Sequence, residues 1–410
     1  MRRQRVIVAL VALQLARALQ TPTKKQPLPL RIDGEWYDAR HYAETAHAGG
    51  RWLVEYARGR DVSFLFKSIH SLNEEKARNA LLKLPKIAEP RDAAPYGFAL
   101  GEEPDEVEID SPLRKELRAL VRRRFGTDPD AAKATPGQWL RIGLFGALTA
   151  SAWLRWLQGS VLATLVLPFA AWLLVAHTAH DATHGSLSKR PWVNYWLQFT
   201  AHPLFFNVFV WIPQHLMSHH QYTNDHDLDV DVHHFAPAKL AAAQPAVGNT
   251  PGVGDGPPPK GLVARLTTLD GSTWNEGWTF VWKGCLTTLG TSVLQPLRTL
   301  TEKPTPNFDA NITPVPAAVS KRTLLLSMLP SFFVLLYPLA ALALGWVSAP
   351  TALLLEVWPW VGMSMIWTAM TQTSHVQAQC QPEEGSPLQR SCWTARQIQT
   401  SLDYSAGEPW

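Results

Sequence analysis

The sequence predicts a small polar α+β unit followed by an all-α integral membrane domain with about four transmembrane helices and a histidine-rich cap at one membrane face. Three observations predict it: long charge-free apolar runs in the later part of the chain, a compact polar stretch before them, and ten of the fourteen histidines crowded into residues 177–234. Composition agrees. The 410 residues carry 38 Lys plus Arg against 34 Asp plus Glu, a net +4, with 46% hydrophobic and 18% charged positions. Such a chain is too apolar to stay disordered and too weakly basic to steer a nucleic acid. Cys285, Cys380 and Cys392 make neither a disulfide framework nor a paired metal knuckle.

Residues 1–27 begin with basic residues, continue through a short apolar run at 6–16 to Ala16-x-Ala18, and end in a Pro- and Lys-rich linker. This is the pattern of a signal or targeting segment. Residues 28–87 form the polar unit, with a helix over about 73–83. A core of that size is marginal and gains from a bound cofactor. Residues 88–135 hold a Pro- and Glu-rich linker and an amphipathic helix at 111–125. Leu113, Leu117, Leu120 and Val121 share one side of it and basic residues surround the rest, which suits either an anionic membrane surface or packing against a domain.

The membrane domain occupies 136–410. Its clearest run, 156–176, has 21 positions without a charge, about 30 Å of helix and so the thickness of a bilayer core. Residues 323–355 are uncharged for 33 positions with a turn at Gly345 to Pro350, and 357–374 add 18 more, so this pair crosses and returns. A fourth candidate, 139–155, is bracketed by Arg141 and Arg155, whose stems can snorkel to the interfaces. The uncharged stretch 191–214 carries Pro191, Gln198, His202, Asn207 and Pro213. It reads as an interfacial helix, which leaves His180, His184, His215, His219, His220 and His375 on one face.

His180 and His184 stand one helical turn apart, and in QHLMSHH His215 and His219 share a helix face while His220 points about 100° further round. His375 follows the last apolar run. Buried imidazoles need partners, and a cluster of neutral ring nitrogens suits Fe, Zn, Cu or Ni. Six candidates exceed what one tetrahedral zinc accepts, so a two-metal centre fits better, and iron is the metal of the set that handles O2. Asp181, Asp225, Asp227, Asp229 and Asp231 can orient such imidazoles by accepting the second ring proton, Asp181 foremost. His177, His202, His226, His233 and His234 read as supporting residues. In the polar unit His47, beside Gly49 and Gly50, and His70, near Phe64, Leu65 and Phe66, offer a second pair, suited to the two axial positions of a haem.

At these residues the sequence resembles known families. Residues 28–87, with His47-Ala48-Gly49-Gly50, Gly59-Arg60-Asp61-Val62-Ser63, Phe66 and His70, resemble a cytochrome b5 domain, with Ala48 where that family has proline. The remainder is similar to the membrane fatty acid desaturases, specifically the front-end enzymes with an N-terminal cytochrome b5 domain. His180 and His184 match their first histidine box, His215, His219 and His220 the second, and His375 an additional histidine after the last span. The Tyr222-Thr223-Asn224 run and the Asp-rich tail that follows also look like the family. The third box, Q-x-x-HH, has no counterpart before Trp410, although Trp393 to Trp410 resembles its lead-in, which implies a chain truncated before that box.

The resemblance implies an O2-dependent front-end desaturase of polyunsaturated fatty acyl chains. Two non-haem iron ions held by His180, His184, His215, His219, His220 and His375 would do the chemistry, with haem b between His47 and His70. Electrons would come from an NADH-cytochrome b5 reductase, and an acyl lipid or acyl-CoA would be the substrate, among membrane lipids and with no nucleic acid. The alternatives are a sphingoid or fatty acyl hydroxylase of the same superfamily, or an inactive membrane-bound haem electron carrier. The implied location is the endoplasmic reticulum with the haem domain cytosolic, or a plastid membrane if the first twenty residues act as a targeting signal.

Overall fold

The computed structural model describes residues 27–47, 49–70, 73–90, 110–126, 133–221, 284–301, 319–371 and 392–401, together with 128, 131, 223–224 and 229. The polar unit starts with a hairpin of β1 (Pro29–Ile32) and β2 (Glu35–Asp38). Asp33 and Gly34 turn it at φ 49° and 82°, the doubly positive turn that matches strand twist. β3 (Arg60–Asp61) lies parallel to β1, giving the order β2-β1-β3. Around this sheet lie α1 (Arg40–Thr45), α2 (Gly50–Val54), α3 (Ser63–Ile69) and α4 (Glu74–Leu81), the last within the predicted 73–83. Leu28, Leu30, Ile32, Tyr37, Val54, Tyr56 and Leu65 fill its centre.

Helix α5 (Pro112–Phe125) begins at Ser111, whose hydroxyl accepts the Arg114 N–H. Its inner face docks on the polar unit. Arg114, only 4% exposed, donates to the Lys67 carbonyl and to Asp110, each at 2.6 Å, and Arg118 donates to Glu74 at 3.1 Å. Leu120 and Phe125 face outward.

Two long helices follow, α6 (Pro136–Trp156) and α7 (Val161–His177), both started by a hydroxyl cap, from Thr135 and Ser160. The turn between them falls at residues 157–160, so Trp156 ends α6 and does not open the second run. The chain then breaks into α8 (Ala179–Thr183), α9 (Pro191–Leu197), a 3-10 turn at Gln198–Ala201, α10 (Val208–Ile212) and a π-helix at Pro213–His219. None of these pieces is long enough to cross a bilayer. A helical stretch ending in α11 (Gln295–Thr301) precedes the second long pair, α12 (Lys321–Ala343) and α13 (Ala349–Thr371), and α14 (Trp393–Gln399) ends the described chain.

Among the described residues three helices are long and apolar enough to cross a membrane: Val161–Thr183, Lys321–Ala343 and Ala349–Thr371. Their outward sides stay apolar and exposed, as Leu325, Leu329, Phe333, Leu336 and Leu339 do along α12. Water would oppose such a stripe, whereas lipid covers it. The protein is therefore an integral membrane protein. Where about four spans are expected from the sequence, α6 is the one that falls short. It has the length but carries Arg141 and Arg155, and it packs along α7, where Thr149 donates to the Ala170 carbonyl at 2.8 Å.

The long helices are fastened by groups that find partners inside the bundle. Trp156 Nε1 donates to the Leu355 carbonyl at 3.3 Å, Trp358 Nε1 to the Leu165 carbonyl at 3.2 Å, and the Tyr337 hydroxyl to the Leu157 carbonyl. A Cβ on Gly159 would lie 2.8 Å from Val347, so the two hairpin turns meet at the same end. The opposite end carries the short helices. One buried apolar cluster runs from the polar unit into the membrane helices, joining Leu28 and Leu65 to Trp156, Trp211 and Trp367.

Candidate metal centre

Helix α7 stops at Thr178, whose φ of −133° and ψ of −67° are not helical, and α8 restarts at an angle. This delivers His180 and His184 to the end of the bundle with their rings 4.8 Å apart. Asp181 Oδ1 faces His180 Nδ1 at 3.1 Å, which leaves Nε2 for the interior of the site. Gly185, at φ 66°, turns the chain away immediately after His184.

The second group is set by the π-helix. In an α-helix the chain would place His215 above His219, but here the backbone N–H of His220 donates to the His215 carbonyl at 3.0 Å, a bond that spans five residues. The wider turn brings His220 beside His215, with rings 4.4 Å apart. His219 stacks behind His215 at 5.3 Å. Helical spacing alone does not bring His220 beside His215 within the QHLMSHH run; the π-turn does. Pro213, at the start of the π-helix, is the one signal in the sequence that marks the irregular turn.

His180, His184, His215 and His220 converge, and one ring nitrogen from each lies within 4.8 Å of the others. His215 Nε2 is 3.0 Å from His180 Nε2 and 3.1 Å from His220 Nε2. Neutral imidazoles carry one proton each, so three such nitrogens around one point favour a shared cation over mutual hydrogen bonding. His184 Nε2 is buried without a hydrogen-bond partner among the described residues. The donor set is all imidazole, and an orphaned buried nitrogen points into it, which fits a metal. Burial, and then the charge of His180, pushes the His184 imidazole down to about 3. Burial, followed by the neighbouring histidines, holds His215 well below the usual range. Both rings are thus neutral and ready to ligate at ordinary pH. The cluster is a histidine-ligand site compatible with a di-iron centre.

The remaining predicted residues divide clearly. His219 donates through Nδ1 to Asp229, 2.9 Å away and fully buried, and Asp229 also accepts the Asn224 N–H at 2.7 Å. Of the Asp-rich tail this is the described carboxylate, and its bond to His219 is shorter and more buried than that of Asp181 to His180. His375, His226, His233, His234, Asp225, Asp227 and Asp231 lie outside the described residues. His177 stacks on Phe145 with ring centroids 5.3 Å apart, away from the cluster. His202 is buried against Phe199 and pushed down to about 4 by burial alone. Trp211, absent from the sequence reading as a site residue, lies flat on His215 one turn earlier and meets Trp367 of α13.

In the polar unit His47 and His70 face each other, with rings 6.2 Å apart and almost perpendicular. His47 Nδ1 accepts the Gly49 N–H at 3.1 Å, and His70 Nδ1 bonds the Phe66 carbonyl at 2.9 Å. The glycines beside His47 have a packing role at the membrane domain. Gly50 has φ 75°, and a Cβ there would sit 2.8 Å from Cβ of Pro191. Gly49 in turn brings its Cα within 3.8 Å of where a Cβ on Gly185 would be.

Apolar spans beneath a cap of clustered imidazoles define a membrane-bound protein with a histidine metal site. The model of the family described as "Fatty acid desaturase" matches residues 151–410, and the chain belongs to that family. It is similar to the "Acyl-lipid omega-13 desaturase" of Chlamydomonas reinhardtii, 30% identical over 50% of this chain and 47% of that protein. It is likewise similar to the "Acyl-lipid (8-3)-desaturase" of Mortierella alpina, 30% identical over 52% of this chain and 47% of the relative. A third, the chloroplastic "Acyl-lipid (7-3)-desaturase" of Chlamydomonas reinhardtii, is 30% identical over 48% of this chain and 37% of its own length. The chain thus spans about half the length, or less, of the relatives it matches. No solved structure matches it.

These findings correct the resemblance drawn from the N-terminal residues. The family match begins at 151 and leaves 28–87 outside it, and the matched relatives are described as desaturases alone. The cytochrome b5 identity of that unit, with haem b between His47 and His70, does not stand; it is a small α/β region. A pair of glycines near a histidine is a short signal, and here the packing of Gly49 on Leu53 and of Gly50 on Pro191 accounts for them. The expected truncation before a third box does not leave the site unformed: four ring nitrogens converge among the described residues without that box.

Proposed function

We propose that this protein introduces a double bond into a fatty acyl chain of a membrane lipid, on the carboxyl side of an existing double bond. The observation that carries this reading is the convergence of His180, His184, His215 and His220 at the end of an apolar helix bundle. In the proposal His219 and His375 complete the ligand set for two non-haem iron ions. Iron bound there supplies the O2-dependent oxidation that no side chain can perform on an unactivated methylene.

The chain's own residues hold the geometry. Asp181 and Asp229 each bond the Nδ1 of a histidine, which fixes the tautomer and directs Nε2 inward. Depressed protonation keeps His184 and His215 available as ligands. Trp211 and Trp367 wall the site on the membrane side, keep water from it and leave an apolar approach for an acyl chain. We place α6 as a fourth span and assign the face that carries the cap and the polar unit, opposite the two hairpin turns, to the cytosolic side of the endoplasmic reticulum. Electrons then come from a separate carrier protein.

The test is expression of the chain in a host whose lipids contain linoleoyl groups, with new double bonds located by mass spectrometry of fatty acid derivatives and iron counted per purified chain. About two irons and a new double bond on the carboxyl side are expected, both lost in His184→Ala and His220→Ala. A protein that binds no iron and leaves the lipid profile unchanged would sink the proposal.

A further inference from the structure

The residue following each of two clustered histidines is gripped by a distant part of the chain. After His184 comes Gly185, whose neighbour across the gap is the Gly49 backbone, and six residues on Pro191 packs against Gly50 with no space for a side chain there. After His220 comes Gln221, 3% exposed, at the point where the π-helix has ended and no helical bond holds the backbone. Its carbonyl accepts Trp393 Nε1 and Gln397 Nε2, both at 2.8 Å. Its side-chain oxygen accepts the Ser68 hydroxyl at 2.9 Å, from the same polar unit. Phe64 meets the edge of Trp393 at 5.9 Å, so the two grips touch.

We propose that the polar unit and α14 act together as a clamp that positions His184 and His220, with Gly50, Ser68, Trp393 and Gln397 as positioning residues acting through the segment from Gly185 to Pro191 and through Gln221. The physical case is one of leverage. His220 sits beyond the last π-helical residue, so the direction of its ring is set by what happens to the next peptide unit. Gln221 is held by two hydrogen bonds on its carbonyl and one on its side-chain oxygen, all from segments more than 150 positions away in sequence, and Gln397 Nε2 also donates to the His220 carbonyl at 3.3 Å. His184 likewise lies before a positive-φ glycine, and the segment that follows is held where Pro191 packs on Gly50, a position that admits only glycine. Supporting contacts of this kind typically change metal affinity by about 10- to 100-fold. Neither segment touches the cluster nitrogens directly.

This inference rests on the metal-binding reading above, and the experiment separates the two. Full-length protein in detergent is titrated with Co2+ alone, following its visible ligand-field bands and the amount retained against a chelator. Co2+ binding by the natural sequence supports the site itself; no binding there would overturn both the site and the clamp. Given binding, Gly50→Ala and Trp393→Phe are each expected to weaken it by about tenfold and to shift the bands. Gly34→Ala is the control, since Gly34 has φ 82° and nothing within 4 Å, so it carries the same backbone strain in open space. It is expected to leave affinity and bands unchanged. Gln221→Glu, which keeps the acceptor for Ser68, is expected to retain binding where Gln221→Ala loses it. Unchanged affinity and bands in folded Gly50→Ala and Trp393→Phe would overturn the clamp. If Gly50→Ala does not fold, Trp393→Phe combined with Ser68→Ala decides the matter by the same two readouts.

Discussion

The indole of Trp211 lies flat against the imidazole of His215, ring centroids 4.4 Å apart and planes 20° from parallel. Trp211 is 5% exposed, and its other side meets Phe206 and Trp367. Removing the ring leaves a void under the cluster. Trp211→Ala is expected to cost about 3–5 kcal/mol of stability and to lower iron content, while Trp211→Phe, which keeps a stacked ring, loses far less. Unfolding followed by circular dichroism in detergent, with metal counted on the same sample, checks both.

Asp229 is fully buried and shares one oxygen between His219 Nδ1 and the Asn224 N–H. Asp229→Asn keeps the volume and removes the charge. Iron affinity is expected to fall by about 10- to 100-fold, measured by competition with a chelator. Asp181→Asn is expected to do less, because Asp181 and His180 lie partly open to solvent.

Acid should destabilise the fold through its depressed histidines. His202 is held down to about 4, His184 to about 3, and in both burial is the largest cause. The unfolded chain takes up protons near pH 6.5, whereas the folded chain resists until pH 3 to 4. Between these limits the unfolded state binds more protons, so stability falls as pH falls, by about 1.4 kcal/mol per unit for each such ring. Above pH 7 these groups contribute no slope. Melting temperature of the metal-free protein between pH 7.5 and 5 is expected to drop, and less steeply in His202→Phe.

Helix packing in the bundle depends on one small residue. A Cβ on Gly362 of α13 would lie 2.8 Å from Cγ of Pro168 in α7. Gly362→Ala is expected to destabilise by about 1–3 kcal/mol through overpacking. Gly143 of α6 has nothing within 4 Å, and Gly143→Ala there is expected to be neutral or to stabilise by about 0.5–1 kcal/mol. Thermal unfolding of the two variants side by side measures the difference.

Much of this arrangement is legible in the sequence. Charge-free runs of bilayer length point to α7, α12 and α13, because nothing but lipid or a deep core tolerates them. The i, i+4 spacing of His180 and His184 puts both rings on one side. The interruptions at Pro191, Gln198 and Pro213 deny residues 191–214 a single long helix. What the sequence conceals is non-local or irregular. The turn between α6 and α7 depends on Gly159 fitting beneath Val347, a contact between distant residues. His220 reaches the cluster through a π-turn that an assumed period of 3.6 cannot produce. Gly50 carries a real constraint, but the partner that imposes it, Pro191, is about 140 positions away, and a local motif suggested a different one.

The five-residue hydrogen bond from His220 to His215 has a bearing on ancestry. A π-turn is what an ordinary helix becomes when a single amino acid is inserted and the surrounding packing absorbs it as a bulge. One codon more or less between positions 215 and 220 therefore leaves His220 beside His215, through a π-turn with it and a regular turn without it. Deleting Ser218 is the reverse edit: it would restore a regular helix in which His220, now four residues after His215, still lies on the same face.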